Sequence, residues 1–407
     1  MRRYLVLFRV PHGQRLLAGG ALVRPGLAAL DLVVLLALHG VAGSFALGGA
    51  AVAVLTMTSS ISTVAQGRVM DRLGIRRVLA PMAAGLLVAI GALSAALAVH
   101  APAVVLVVLA GAVGGLLPAA GAPLRTLWAS LLEDPDEQAT AFAYESLAQD
   151  VGFVAGPAAL GAIAAALSPI GALAACGVLI AAGALIITTI PPLHHSPDAT
   201  ATTRGRRPRI VRPLARAALA LFAVGGALGA IDVSTPAFAT QHGAPAASGV
   251  LLGAFSAGSA AGGLAYGVRT WRSAPASRLL ACVLLLAALL LLPAAAPGLP
   301  LLALALVAAG VPLAASLTTA YVLANHHLPA ARRTEAFAWL SLTLNAGAAL
   351  GNAAAGTIAT ESAASHGFLF ASACATGGAA ILAASTVARR VRACCGPGDA
   401  SEQDSSI

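Results

Sequence analysis

The chain has 407 residues, of which 59% are hydrophobic and only 10% charged, with mean hydropathy +0.88 and formal net charge +9. A soluble globular domain carries about a quarter of its residues as charged side chains, so this composition excludes one. It also excludes a disordered polar chain and points to a multi-pass membrane protein. All 24 basic residues are Arg. A nucleic-acid binder would gather such residues on one soluble face; here they fall in short segments between apolar runs.

The apolar material divides into twelve runs, each near the roughly 20 residues a helix needs to cross about 30 Å of hydrocarbon. In chain order they cover about 16–38, 42–66, 78–99, 101–124, 140–166, 169–190, 214–240, 244–268, 278–296, 299–324, 334–360 and 366–388. The start, "MRRYLVLFRVPHGQR", has no small-residue cleavage site and reads as a cytoplasmic lead-in, not a removable signal. Alternate connections carry the arginines: Arg2 to Arg15, Arg68 to Arg77, Arg125, Arg204 to Arg216, Arg269 to Arg278, Arg332 with Arg333, and Arg389 to Arg392. The others ("HGVAGSFA", "AVHAPA", "ALSPIG", "TQHGAPAASG", "PAAAPGLP", "ESAASHG") contain none. Basic short loops stay cytoplasmic, so both termini are expected inside a bacterial cytoplasmic membrane.

Residues 191–213, "PPLHHSPDATATTRGRRPRIVRP", form the one long polar stretch and read as a flexible linker. The expected organisation is therefore a first six-helix bundle over 1–190, the linker 191–213, a second bundle over 214–390, and a cytoplasmic tail without fixed structure at 391–407. The two halves repeat. "AFAYESLAQDVGFVAGPAALG" (141–161) matches "AFAWLSLTLNAGAALGNAAAG" (336–356) at ten of 21 positions with an offset of 195. Arg15 and Asp31 match Arg216 and Asp232 at an offset of 201. Duplicated six-plus-six chains are a design of transporters that rock two halves about a midplane site.

Between the second and third runs lies Gly67-x-x-x-Asp71-Arg72-x-Gly74-x-Arg76-Arg77-x-x-Leu79. It resembles the cytoplasmic loop signature of the major facilitator superfamily, and with the twelve runs, basic linker and duplication the resemblance covers nearly the whole chain. It implies an all-α membrane protein, two pseudo-symmetric six-helix bundles, and transport by alternating access. The Ala-, Gly- and Arg-rich composition suggests a high-GC genome, and the chain resembles drug and metabolite exporters of actinobacterial type.

The residue types in that loop have their own physical reading. Gly67 is expected to let its helix approach a neighbour closely. Asp71 can accept hydrogen bonds from arginines or from a helix N-terminus in the other half, near Arg333 and Thr334, and Arg125 is a second candidate partner. Gly74 permits the turn, and Arg76 and Arg77 hold the loop at the cytoplasmic surface. Together with Arg72 they read as a latch on the inner gate. The matching loop in the second half, Gly263-x-x-x-Gly267-x-Arg269, lacks the acid, so the latch is expected on one side only.

Charges inside the runs are costly, by at least about 2.5 kcal/mol each, and mark function or pairing. Away from the run ends they are Arg24, Asp31, Glu145, Asp150 and Asp232. Arg24 and Asp31 are seven residues apart, hence on one face and about 10 Å apart along the axis. In a major facilitator fold the first, fourth, seventh and tenth helices line the cavity, so both are expected to face it, with Asp232 pseudo-symmetric. Arg24 could meet Glu145 or Asp150. These groups are either proton-coupling acids or structural ion pairs that close the first bundle. All nine His lie in loops or near run ends, so carboxylates must carry any proton.

Gly152-x-x-x-Gly156-Pro157-x-x-x-Gly161 resembles the helix signature of antiporters in the same superfamily, with one extra residue before the last Gly. The same spacing also fits plain small-residue packing, and Gly347, Gly351 and Gly356 repeat it without the Pro. The family's Arg in the middle of the fourth helix is absent: "LAGAVGGLLPAAG" carries glycines there.

Without Lys there is no Walker motif. An odd count of five Cys, none in an Arg-free loop, argues against structural disulfides. No cofactor, resident metal or enzymatic motif is expected. The reading is a monomeric secondary transporter that exports a small amphipathic compound in exchange for protons. Proton-coupled uptake of a small metabolite, or a non-transporting scaffold or sensor on the same fold, are the alternatives.

Overall fold

The computed structural model describes Leu7 and residues 10–132, 134–166, 168–190, 212–267, 272–327, 330–361 and 363–394. Within those helices some side chains, Asp71 and Arg125 among them, lie outside the description, as do the expected linker (up to 211) and the tail from 395. Fourteen helices and no strand are found among the described residues. They are α1 Gly13–Ala42, α2 Phe45–Leu73, α3 Ile75–Ala98, α4 Ala103–Gly115, α5 Gly121–Leu131, α6 Pro135–Ala166 and α7 Pro169–Thr188. The second half holds α8 Arg212–Gln241, α9 Ala247–Gly267, α10 Pro275–Leu289, α11 Leu291–Ala294, α12 Leu299–His327, α13 Ala330–Glu361 and α14 Ala364–Cys394.

Turn chemistry sets the boundaries. Gly43 (φ 64°) closes α1 with its N–H on the His39 carbonyl, 2.8 Å away. Ser44 then caps α2 by accepting from the Leu47 N–H. Gly74 (φ 85°) ends α2 and starts α3, in backbone space where a side chain would be strained. Ser168 caps α7, with Pro169 at its first position.

Nine described helices are long and apolar enough to cross a membrane by length and composition. Of the other three expected runs, 140–166 and 334–360 sit within the 32-residue helices α6 and α13. The third, 101–124, is not continuous: α4 stops at Gly115, residues 116–120 are irregular, and α5 begins at Gly121. Pro118 explains the break, because it has no N–H to give and its ring crowds the preceding turn. A milder interruption divides α10 from α11 at Leu290. At the C-terminus α14 runs four residues into the segment expected as tail.

The helices pack as two bundles related by a pseudo-twofold repeat. In the first, α1 packs on α6 and α7, α2 on α4, and α3 on α7; in the second, α8 packs on α13 and α14, α9 on α12, and α10 on α14. The bundles meet where α2 lies along α13 and α6 along α9, with a lighter contact of α1 on α8. This seam is tight because glycines let backbones touch. A side chain at Gly49 would meet Asn352 and Gly356, and one at Gly249 would meet Pro157. Those contacts lie toward the end bearing the Arg-free connections. Toward the opposite, Arg-bearing end, α2 is exposed nearly all round, at Val64, Gly67, Arg68 and Val69. The bundles are thus closed at one end and splayed at the other.

One buried core spans both bundles; a second, separate one lies at the Arg-bearing end of the first bundle. The second gathers Leu16 and Leu17 of α1, Met70 of α2, Leu79 of α3, Leu124 and Trp128 of α5, and Ala141 of α6.

Candidate functional site

Arg24 projects from α1 at Pro25, beside Gly20, whose missing side chain leaves room for the guanidinium. It reaches α6 and forms an ion pair with Glu145 through Nη2 and Oε2. The other carboxylate oxygen, Oε1, accepts a hydrogen bond from the Trp128 indole Nε1 at 2.9 Å. Glu145 and Trp128 are fully enclosed, with 2% and 0% exposure. Arg24 Nη1 is buried with no hydrogen-bond partner among the described residues. A charge here needs its partner: an uncompensated buried ion costs several kcal/mol.

Gly152 and Gly156 make this approach possible. A side chain at Gly152 would strike Arg24 Cβ, and one at Gly156 would strike the Pro25 carbonyl. Gly161 abuts Leu32 and also Gly249 of the second bundle. The Gly152–Pro157–Gly161 motif is thus a contact strip for α1 on one side and α9 on the other. Of the two acids Arg24 could have met, it takes Glu145. Asp150 is exposed and forms no ion pair among the described residues. Arg24 itself is turned into the α1–α6 contact by its pair with Glu145, with 11% of its side chain exposed. The reason is geometric: Gly152 lets its stem lie against α6.

Asp31, two turns along α1, and Asp232 of α8 lie where the two bundles touch lightly. Both are partly exposed though set deep in their helices. They stand at equivalent positions of the repeat, on helices that touch. Neither has an ion-pair or hydrogen-bond partner among the described residues. Across the neighbouring seam, Asn345 of α13 donates to the Ser60 hydroxyl of α2 at 2.9 Å. Asn345 is the counterpart of Asp150 at the 195-residue offset, so the repeat carries an amide bridge on one side and an open acid on the other.

In the loop motif, Gly74 occupies the turn as expected, and Arg72, Arg76 and Arg77 are exposed. At Gly67 the expected close approach is not found among the described residues: a side chain added there would meet none of them within 4 Å, and this end of α2 is exposed. The side chains of Asp71, Arg125, Arg333 and Thr334 lie outside the described residues, and so does the proposed latch contact. His39 and His242, at the Arg-free ends of α1 and α8, stack on Phe45 and Phe238 at 3.8 and 4.1 Å. The described cysteines, Cys176, Cys282 and Cys374, are free, and no cluster of metal-ligating residues occurs among the described residues.

Sequence reading missed Trp128, Gln66 and Ser62. Trp128 had one available signal. An indole N–H that becomes buried is a donor that must find an acceptor, and Glu145 is the acid nearest in sequence that lies within an apolar run. Gln66 partners backbone groups, which leave no mark in a sequence. It donates to the Leu117 carbonyl at 2.7 Å and accepts from the Ala119 N–H at 3.0 Å. Ser62 donates to the Gly115 carbonyl at 2.5 Å.

Two pseudo-symmetric helical bundles around buried charges, meeting in a glycine-lined seam, define a polytopic membrane transporter. The chain matches the Major Facilitator Superfamily over residues 17–273 and 217–393, and it belongs to that family. No curated protein matches it in sequence. Among solved structures it is similar to a point mutant of the nucleoside transporter NupG, with TM-score 0.71 and 15% identity over 91% of this chain and 99% of that one. A bacterial homologue of the iron transporter ferroportin in an inward-facing state gives 0.70 and 15%, over 91% and 97%. The POT family transporter PepTSo gives 0.69 and 11%, over 93% and 98%. At these identities the likeness is one of fold.

Proposed function

We propose that the chain is a proton-coupled exporter of a small amphipathic compound, a drug or secondary metabolite, working as a monomer in a bacterial cytoplasmic membrane. The observation that carries this reading is the pair Asp31 and Asp232. Two carboxyls on pseudo-equivalent helices share one region between the bundles with no cation to neutralise either among the described residues. A carboxyl at membrane depth without a fixed cation beside it is a group placed to take up and release a proton. A site that must lose and regain a proton as its access changes is what exchange transport requires. The interior cation, Arg24, is already committed to Glu145 and is not free to neutralise them.

With basic loops on the cytoplasmic side, the splayed end faces the cytoplasm and the glycine seam closes the exterior. This conformer is then inward-facing, ready to take cargo from inside. Apolar and small residues dominate the cavity helices α1 and α8, which favours amphipathic cargo over sugars. Asp150 lies on the splayed side of α6 and is the first acid such cargo would pass.

The test is dissipation of a pH gradient in everted vesicles, with lipophilic cations and antibiotics added in turn, for the wild type and Asp31→Asn. A compound that collapses the gradient in the wild type and not in the variant supports proton exchange through Asp31. No response across the panel would sink the export reading. Accumulation of a metabolite in intact cells would then favour uptake.

A further inference from the structure

We propose that α5 is a lever, bracketed to α2 by Gln66 and tipped by Trp128, that carries the position of the gate end of α2 to the buried Arg24–Glu145 pair.

Polar backbone at membrane depth must find partners, because hydrocarbon offers none. The break between α4 and α5 exposes the carbonyls of Gly115 and Leu117 and the N–H of Ala119. Helices usually cap such groups from their own chain. Here the caps come from α2: Ser62 takes the first, and the Gln66 amide takes the other two. Gln66 Nε2 also donates to Ser62 Oγ at 3.0 Å, so the two side chains form one bracket. Gln66 is 3% exposed. If α2 moved away alone, three backbone groups would lose their partners together. The bracket therefore ties α2 both to the last residue of α4 and to the irregular stretch that leads into α5.

The bracket sits one residue before Gly67, in the gate-end stretch of α2. Trp128 lies about 10 Å further along α5, and its N–H holds Glu145 Oε1. The body of α5 rests in the small separate core with Met70, not in the main core. A displacement of the α2 end thus has a path to Glu145 through the bracketed stretch and α5, and it acts on the oxygen that Arg24 does not hold. In this assignment Gln66 and Trp128 are positioning residues that act through Glu145.

The reporter is Trp128 itself. With Trp271→Phe and Trp339→Phe, it is the sole tryptophan, and its emission reports the enclosure of the indole without any need for a known substrate. In that background, the full-length protein in detergent is compared with Gln66→Leu, Gln66→Glu and Ser59→Ala, each checked for monodisperse elution and helical content. Among the described residues Ser59 bonds within its own helix, to the Thr56 carbonyl. Gln66→Leu is expected to shift Trp128 emission to longer wavelength and increase its quenching by acrylamide. Gln66→Glu retains an acceptor for Ala119 and loses the donor to Leu117, so a smaller shift in the same direction is expected. Ser59→Ala is expected to change nothing. Should Gln66→Leu fail to fold, Gln66→Glu decides alone. Emission unchanged in a folded Gln66 variant, or shifted equally by Ser59→Ala, overturns the lever.

Discussion

The contact of α1 with α6 and its counterpart, α8 with α13, are the same joint built twice. Both rely on glycines that bring backbones together, at Gly152 and Gly156 in one and at Gly225, Gly229, Gly347 and Gly351 in the other. Their chemistry differs completely. At the 201-residue offset Arg24 corresponds to Gly225, and at the 195-residue offset Glu145 corresponds to Leu340. One joint holds an ion pair capped by an indole; the other is closed by carbonyls against glycine alone. Duplication supplied a scaffold, and the buried ion pair belongs to one copy only. The second half shows that the joint does not need charge to pack, so charge in the first half calls for a reason beyond packing.

The largest effect expected is from removing one side of the pair. Glu145→Ala leaves Arg24 buried and uncompensated, and thermal unfolding in detergent should show a loss of about 3–5 kcal/mol. The double variant Arg24→Met with Glu145→Leu imitates the uncharged joint and should recover most of that loss while failing in transport. Recovery of both would remove the contrast drawn above. A second, smaller effect is expected in the uncharged joint. Gly225→Ala drives a methyl into the Leu344 carbonyl and should cost about 1–3 kcal/mol. Gly226→Ala, next in the chain, meets nothing closer than Cys374 Sγ at 3.4 Å and should stay within about 0.5 kcal/mol of wild type. A small effect also belongs to Asn345→Ala, which removes the amide bridge to Ser60. Interhelical hydrogen bonds of this kind contribute about 0.6 kcal/mol, enough to raise thiol labelling of a cysteine placed in the seam without unfolding the protein.

Much of this architecture is readable from residues. Alternation of Arg-bearing and Arg-free connections separates the two ends of the bundles, and the glycine repeat at offset 195 marks the α6 and α13 joints before any coordinates. Intramembrane charges identify Arg24 and Glu145 as partners worth testing. The break after Gly115 is not readable from hydropathy, because the irregular stretch "LLPAA" is as apolar as the helix it interrupts. Pro118 was the warning. Trp128 falls beyond the end of the apolar run, so a span-by-span search passes over it. Gly67 failed as a packing residue for a different reason. A motif glycine was assigned to a close approach, and in this conformer the end of α2 that carries it is exposed.

The seam between the bundles is made of backbone against backbone, at Gly49 on Asn352 and Gly356, and at Gly249 on Pro157. Surfaces of this kind have no interdigitated side chains to withdraw before one helix slides past another. Rolling one bundle on the other then demands little change of rotamer, and hydrogen bonds such as Asn345 to Ser60 act as weak detents instead of locks. The glycines make the closed end at once a close contact and a bearing on which the molecule can turn.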